Sequence, residues 1–259
     1  MVSIARKLGV LNVAQPSEGC PPDAAPFLSV VIPAYNEARR LGPTLEAVSA
    51  YLAGTPHEIL VVDDGSRDET SAVAGRVAGV RVLRLETNRG KGAAVRHGML
   101  EARGEWVLMS DADLSTPIDE YDRLKEHLKA GADIAIGSRG LRQAEIEVSQ
   151  PFYRVFMGKT FNLLVQALLL PGIWDTQCGF KLFSRSAARA VFERVGLSGF
   201  GFDVEAVYIA KRLGLRVDEV PVRWRNDPDT RVNAWRDSLR TFRELWGIRR
   251  THRNLPRSA

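Results

Sequence analysis

Two aspartates separated by one residue, Asp111-Ala112-Asp113, close a hydrophobic run at residues 105–109 (EWVLM). On an extended chain, residues two apart point to the same side. Neighbouring carboxylates repel unless a cation or proton holds them. A divalent ion gripped by one or two carboxylates and completed by substrate phosphates is the usual coordination of Mg2+, and Mn2+ suits the same oxygen ligands. The competing reading is a carboxylate pair that caps a helix near Asp119. Three further polar clusters follow hydrophobic runs: residues 33–37 (PAYNE), 63–66 (DDGS) and 137–139 (GSR). Gly90-Lys91-Gly92 fits a fragment of a phosphate loop or the turn before a helix. The chain has no G-x-x-x-x-G-K-[ST] loop, and no G-x-G-x-x-G follows its first strand. A nucleotide would therefore be held by other means: Asp64 accepting from base or ribose, and a metal on the diphosphate.

The elements that position these clusters alternate regularly. Residues 27–32, 58–62, 80–85, 105–109 and 133–136 read as short apolar strands. Residues 39–52, 70–77, 91–102 and 119–129 carry helical periodicity. Continuous apolar strands separated by helices predict a mostly parallel, Rossmann-like α/β sheet flanked by helices. In such sheets ligands lie beyond the carboxyl ends of the strands, and all four polar clusters fall at such ends.

The chain has 259 residues, 45% of them hydrophobic and 26% charged, enough for one substantial core. Cys20 and Cys178 are too far apart in sequence to suggest a metal site, and a reducing, intracellular setting is expected. No apolar run reaches the ~18 residues of a spanning helix, and the N-terminus lacks a signal-peptide pattern. Four prolines within residues 14–26 mark a tail over 1–26. A main domain is expected over 27–232, and a basic amphipathic helix and tail over 233–259. The net charge is +5. Its late position beside Trp and Phe suits phospholipid, and no nucleic-acid partner is expected.

The ordered set Pro33-Ala34-Tyr35-Asn36-Glu37, residues 61–70 (VVDDGSRDET), residues 88–92 (NRGKG) and Asp111-Ala112-Asp113 resembles the inverting family 2 glycosyltransferases of GT-A fold. Residues 137–139, 175–183 (DTQCGFKLF), 201–205 (GFDVE) and 219–222 (EVPV) are similar to the dolichyl-phosphate β-glucosyltransferases and their prokaryotic polyprenyl-phosphate relatives. The resemblance spans about residues 28–250. It implies that Pro33, Ala34, Tyr35, Glu37, Val62, Asp64 and Lys91 hold the donor nucleotide, with Asp111, Ala112 and Asp113 on its diphosphate. Asp111 and Asp113 would ligate Mg2+ or Mn2+. Arg139, Gln177, Lys181, Arg225 and Arg231 would meet phosphate or acceptor. Related mannosyltransferases carry a metal-ligating Gln where this chain has Ser115, which leaves the third protein ligand unassigned.

The implied reaction moves glucose from UDP-glucose to a polyprenyl phosphate. The alternatives are mannose from GDP-mannose, a soluble acceptor, or a catalytically silent binding protein. Asp113 and Asp203 are the catalytic candidates, and Asp203 or Glu205 would orient the acceptor or act as base. Both are equally placed to be helix-start carboxylates. The implied acceptor requires a membrane, so the protein is expected to be peripheral on the inner face of the cell membrane. The related eukaryotic enzymes carry an N-terminal anchor, and none is expected from this sequence. Residues 152–173, and residues 235–250 with Trp235, Leu239, Phe242 and Trp246 on one face, are the candidate surfaces. Either stretch would otherwise pack on the core or join two copies as a homodimer.

Overall fold

A computed structural model describes residues 10–13, 26–148, 152–226 and 244–255. Eight strands form one sheet: β1 (Val10–Val13), β2 (Leu28–Ala34), β3 (His57–Asp63), β4 (Val80–Leu85), β5 (Trp106–Met109), β6 (Ile134–Ser138), β8 (Lys181–Ser184) and β9 (Val217–Pro221). Their order is β1-β4-β3-β2-β5-β8-β6-β9. Strands β2 to β6 and β9 run parallel, while β1 pairs antiparallel with β4, and β8 antiparallel with both β5 and β6. Strands β7 (Glu145–Val148) and β10 (Arg223–Arg225) form a separate parallel pair. The mostly parallel sheet expected from the alternation is therefore present, with β1 antiparallel at its edge and β8 inserted antiparallel between β5 and β6.

The apolar strand runs are continuous because both faces of the sheet are covered. Alternation within β2 divides its side chains between two cores. Val31 joins Leu60, Val62, Ala94, Val95 and Met99 on one side. Val30 and Ile32 join Leu41, Leu45, Val48, Ile59 and Val61 on the other. The helix α1 (Ala38–Tyr51) thus covers one face and α3 (Lys91–Glu101) the opposite one, with α2 (Thr70–Gly75) beside α1. Each fully buried Val, Leu or Ile contributes about 1.5–3 kcal/mol of transfer free energy, so the apolar face of each helix fixes its place on the sheet.

Differences from the sequence pattern have local causes. The helix expected from residue 119 opens as a 3-10 turn, Ile118–Glu120, after Pro117, and continues as α4 (Tyr121–Lys129). Pro117 holds φ at −58° and ψ at 147°, which keeps the entry extended. Part of the expected N-terminal tail, Val10–Val13, is an edge strand along β4. In the second half, α5 (Phe152–Leu168), α6 (Arg185–Phe192) and α7 (Phe202–Arg212) follow, and residues 244–251 are helical. Leu245 and Ile248 are buried in the core shared by α3 and α7. Of the expected C-terminal amphipathic stripe, Trp246 is exposed, while Trp235, Leu239 and Phe242 lie outside the described residues.

Candidate active site

The carboxyl ends of β2, β3, β5 and β6 deliver residues 35–37, 64–66, 110–113 and 139 to one edge of the sheet. Pro33 and Ala34 pair with Val62 and Asp63, so the first two clusters lie side by side. The Asp64 amide donates to the Ala34 carbonyl at 2.8 Å, which extends that ladder past the strand ends.

Asp111-Ala112-Asp113 is braced from three directions. The Thr44 hydroxyl on α1 donates to the Ala112 carbonyl at 2.7 Å. The Ser115 amide donates to Asp113 Oδ1 at 2.9 Å, and the Ser115 carbonyl accepts from the Arg225 amide at 2.8 Å. Leu114 adopts φ of +45° to close the turn, an uncommon conformation for a branched side chain. The third brace is Gly179. A Cβ built there would lie 1.9 Å from Asp111 Oδ2 and 2.3 Å from its Cγ, so only glycine admits the carboxylate in this position.

Strand direction explains that contact. In the β5–β8 ladder, Trp106 faces Ser184 and Met109 faces Lys181. Continuing the register by two residues sets Asp111 opposite Gly179. Because β8 runs against its neighbours, the residues preceding it share the edge where the parallel strands end. Residues 175–180 are thereby laid across the carboxylate pair.

Lys91 completes the cluster. Its Nζ lies 2.6 Å from Asp111 Oδ1. Burial opposes its charge, but the carboxylates of Asp111 and Asp203 outweigh that cost and hold the ammonium above the ordinary lysine range. Burial, and then the charge of Asp111, raise the Asp113 carboxyl. Two mutually repelling carboxylates, both partly exposed, suit a hard divalent cation. Among the described residues no third Asp, Glu, His or Cys joins them, so the remaining coordination would come from diphosphate oxygens and water.

Lys91 is the first residue of α3 because the preceding loop is fixed. Asp64 Oδ1 accepts from the Arg89 amide at 2.7 Å and Oδ2 from the Gly90 amide at 2.8 Å. Gly90 has φ of +100° and packs under the Ser198 carbonyl, which also accepts from the Gly92 amide at 2.8 Å. Asp64, expected to contact the nucleoside, therefore also positions Lys91. Glu37 is held in a two-pronged pair by Arg40, at 2.7 and 2.8 Å, and its amide donates to Thr70 Oγ1. Tyr35 is partly exposed beside them.

The acceptor-side expectations divide. Arg139 donates from Nε to Asp175 Oδ2 at 2.7 Å and from Nη2 to Oδ1 at 2.9 Å, and stacks on Trp224 at 5.3 Å. Burial would raise the Asp175 carboxyl, but Arg139 overrides it and holds it below the usual range. Glu219 steadies the same turn by accepting from the amides of Trp174 and Asp175. One edge and one face of the Arg139 guanidinium are thus committed within the protein. Lys181, expected among the acceptor contacts, is only 1% exposed and donates to the Cys178 carbonyl at 2.6 Å and to Asp203. Its place on β8 turns it inward, so it cannot face an acceptor. Gln177 is partly exposed, its amide donating to Asp175 Oδ1. Arg225 is exposed near Asp113 through its backbone bond, while Arg231 lies outside the described residues.

Asp203 and Glu205 also separate. Asp203 sits between Lys181 and the Lys91 cluster, its pKa raised by burial against the pull of both lysines. Glu205 turns away: Oε2 accepts from the amides of Gly196 and Leu197, and Oε1 pairs with His252 at 2.7 Å. It anchors the C-terminal helical segment and not the acceptor. Thr44 was not legible as a site residue, and Gly179 and Glu219, though within the family-like strings, had no role assigned. Each acts on a residue distant in sequence through a contact that leaves no local pattern.

The Glycosyl transferase family 2 profile matches residues 29–192. The dolichyl-phosphate beta-glucosyltransferase of Drosophila melanogaster is 42% identical over 85% of this chain and 74% of its own. That of Homo sapiens is 36% identical over 86% and 74%. Among solved structures, the glucosyl-3-phosphoglycerate synthase of Mycobacterium tuberculosis in complex with UDP superposes with a TM-score of 0.66 at 21% identity, covering 86% of this chain and 80% of that one. The mannosyl-3-phosphoglycerate synthase of Rubrobacter xylanophilus gives 0.67 at 21%, covering 90% and 77%. These structural likenesses establish the GT-A fold.

Proposed function

This chain belongs to glycosyl transferase family 2, and on that premise we propose that it moves glucose from UDP-glucose to a polyprenyl phosphate. The observation that carries the proposal is the seating of Gly179 against Asp111. It joins the residue string that resembles the dolichyl-phosphate glucosyltransferases to the carboxylate pair that would serve the donor.

Asp111 and Asp113 would hold Mg2+ or Mn2+. When bound, the metal supplies charge stabilisation to the departing nucleotide diphosphate. Lys91 and Arg225 add positive charge on the same edge, where preorganised charge is most effective. The acceptor is a phosphate monoester whose second pKa is near ~6, so it is largely dianionic at neutral pH and needs no strong base. One of its oxygens attacks the anomeric carbon as the bond to UDP breaks on the opposite side. Single displacement converts an α-linked donor to a β-linked lipid phosphate. Asp203, deep in the cluster and paired with Lys181, would shape the field around Lys91 without taking a proton.

A membrane surface is the proposed second partner, and α5 supports it. Phe161 and Val165 dock the helix, while Phe156 is 62% and Leu163 66% exposed. Exposed Trp174 precedes the Asp175–Arg139 pair. No helix among the described residues is long and apolar enough to cross a bilayer, so contact would be interfacial. A second copy of the chain is the competing occupant, which sedimentation of the free protein distinguishes.

The test is direct. Purified protein with Mn2+, radiolabelled UDP-glucose and a short-chain polyprenyl phosphate should yield a labelled glucolipid, with GDP-mannose giving little. Preference for GDP-mannose, transfer only to a soluble acceptor, or no glucolipid from any donor would overturn the proposal.

A further inference from the structure

We propose that Lys91 and the divalent cation compete for the same oxygen of Asp111, and that the donor diphosphate resolves the competition by drawing the ammonium away. This rests on the metal reading above. Lys91 Nζ lies 2.6 Å from Asp111 Oδ1, within direct ion-pair distance. Gly179 crowds the other oxygen more closely, since a Cβ built there would lie 1.9 Å from Oδ2 and 2.7 Å from Oδ1. A metal that takes the less crowded Oδ1 must share it with the ammonium.

The position of Lys91 makes the pairing conditional. It is the first residue of α3, whose first turn holds no acidic residue. The amino end of a helix disfavours a cation, so the ammonium stays there because Asp111 and, behind it, Asp203 attract it. The loop that presents Lys91 is fixed by the Asp64 carboxylate and the Ser198 carbonyl. The backbone therefore stays in place while the flexible four-carbon stem turns. A nucleoside diphosphate entering this edge brings at least two negative charges within reach of that stem. The ammonium would transfer to a phosphate oxygen and free Asp111 Oδ1, so that Asp111 would be available to hold the metal once the diphosphate is present.

Metal and nucleotide consequently bind with positive coupling, and the coupling is the same whichever is added first. Loss of the Lys91 charge removes the competitor. Lys91→Met should bind Mn2+ alone at least about tenfold more tightly than the unaltered protein, because a unit charge at contact distance is taken from beside the ligand. The same variant should bind UDP more weakly, and the factor by which UDP improves Mn2+ binding should shrink. Lys91→Arg, which keeps the charge, should retain the weak binding of metal alone and most of the coupling. A lysine that served only as a phosphate contact would weaken UDP binding in Lys91→Met and leave Mn2+ alone unchanged.

Mn2+ affinity can be read by electron paramagnetic resonance of the free ion, with and without UDP, in the three proteins. Thermal melting of each confirms that the variants are folded. Tighter Mn2+ binding to Lys91→Met without UDP, with reduced coupling, is the expected result. Equal or weaker binding, including no measurable binding to either protein, overturns the inference. Absence of Mn2+ binding to the unaltered protein even with UDP overturns the metal reading itself.

Discussion

Replacing Gly179 with alanine should slow transfer on the order of 100-fold while leaving the fold nearly intact. The backbone tolerates the change, since Gly179 is not among the residues at positive φ. The added methyl would lie 1.9 Å from Asp111 Oδ2, against an ordinary contact of 3.4 Å or more, so the oxygen must retreat by about 1.5 Å. Asp111 is partly exposed and its carboxylate can swing, so the loss of stability should stay near ~1 kcal/mol, within the common range for single substitutions. The metal site has no such freedom, because productive constellations tolerate only about 0.5 Å. A misplacement near 1 Å costs on the order of 100-fold in rate, or ~2.7 kcal/mol of transition-state stabilisation. Two measurements decide the matter: kcat/KM for UDP-glucose with polyprenyl phosphate, and Mn2+ affinity in the presence of UDP. Both should fall sharply while the melting temperature moves by only a few degrees. If Gly179→Ala keeps activity and Mn2+ affinity within about threefold, Asp111 does not hold the metal where it now sits, and the assignment of the site is wrong.

Other perturbations separate positioning from chemistry. Asp175 has a depressed folded pKa, so its pair with Arg139 contributes stability above the unfolded carboxyl pKa of ~3.9 that is lost as pH falls through the folded value. Asp175→Asn should lower stability at neutral pH and flatten the acid limb of a urea-denaturation series; an unchanged acid limb would refute this role. Glu205→Gln should destabilise by about 1–3 kcal/mol, because it weakens the partner of His252 and of two loop amides. The Mn2+ affinity of Asp111 and Asp113 should survive that change better than after Asp203→Asn, which leaves the buried Lys181 without its counter-charge. Phe156→Ser with Leu163→Ser should reduce co-sedimentation with anionic liposomes while shifting stability by no more than ~0.5 kcal/mol, as expected of exposed positions. Full retention of liposome binding would remove α5 from the interface.

The placement of the proposed donor-side clusters was legible because it is written in local order. Four of the five apolar strands of the first half are followed within three residues by a polar cluster, and parallel strands end on one edge, so position in sequence predicts position in space. Pro33, Ala34, Asp64, Asp111 and Asp113 all lie where that logic puts them. Side-chain partners were less legible. Asp64 and Asp203 read equally well as ligand contacts, and nothing in their neighbourhoods shows that Asp64 accepts from Arg89 and Gly90 or that Asp203 pairs with Lys181. Lys181 was misplaced because residues 181–184 give a weak strand signal, so the side of the strand it would occupy could not be read. The strand at Val10–Val13 was hidden by the proline-rich segment after it.

The acceptor half depends on the antiparallel insertion of β8. In an all-parallel sheet the residues preceding a strand lie at the edge opposite the site, and residues 175–180 would be far from Asp111. Reversing one strand moves its leading segment to the catalytic edge, and the register with β5 sets Gly179 on Asp111. The same strand pairs with β6, whose Gly137 amide donates to the Phe180 carbonyl, so Arg139 and Asp175 meet across the second ladder. One reversed strand thus ties the carboxylate pair on its β5 side to the arginine pair on its β6 side. Between them it buries Lys181, whose charge is balanced by Asp203, which in turn attracts Lys91. Alternating charges therefore connect the strand that carries the acceptor-side segment to the ammonium on Asp111. A change in that segment should reach the metal site through this charge network as well as through direct contact at Gly179.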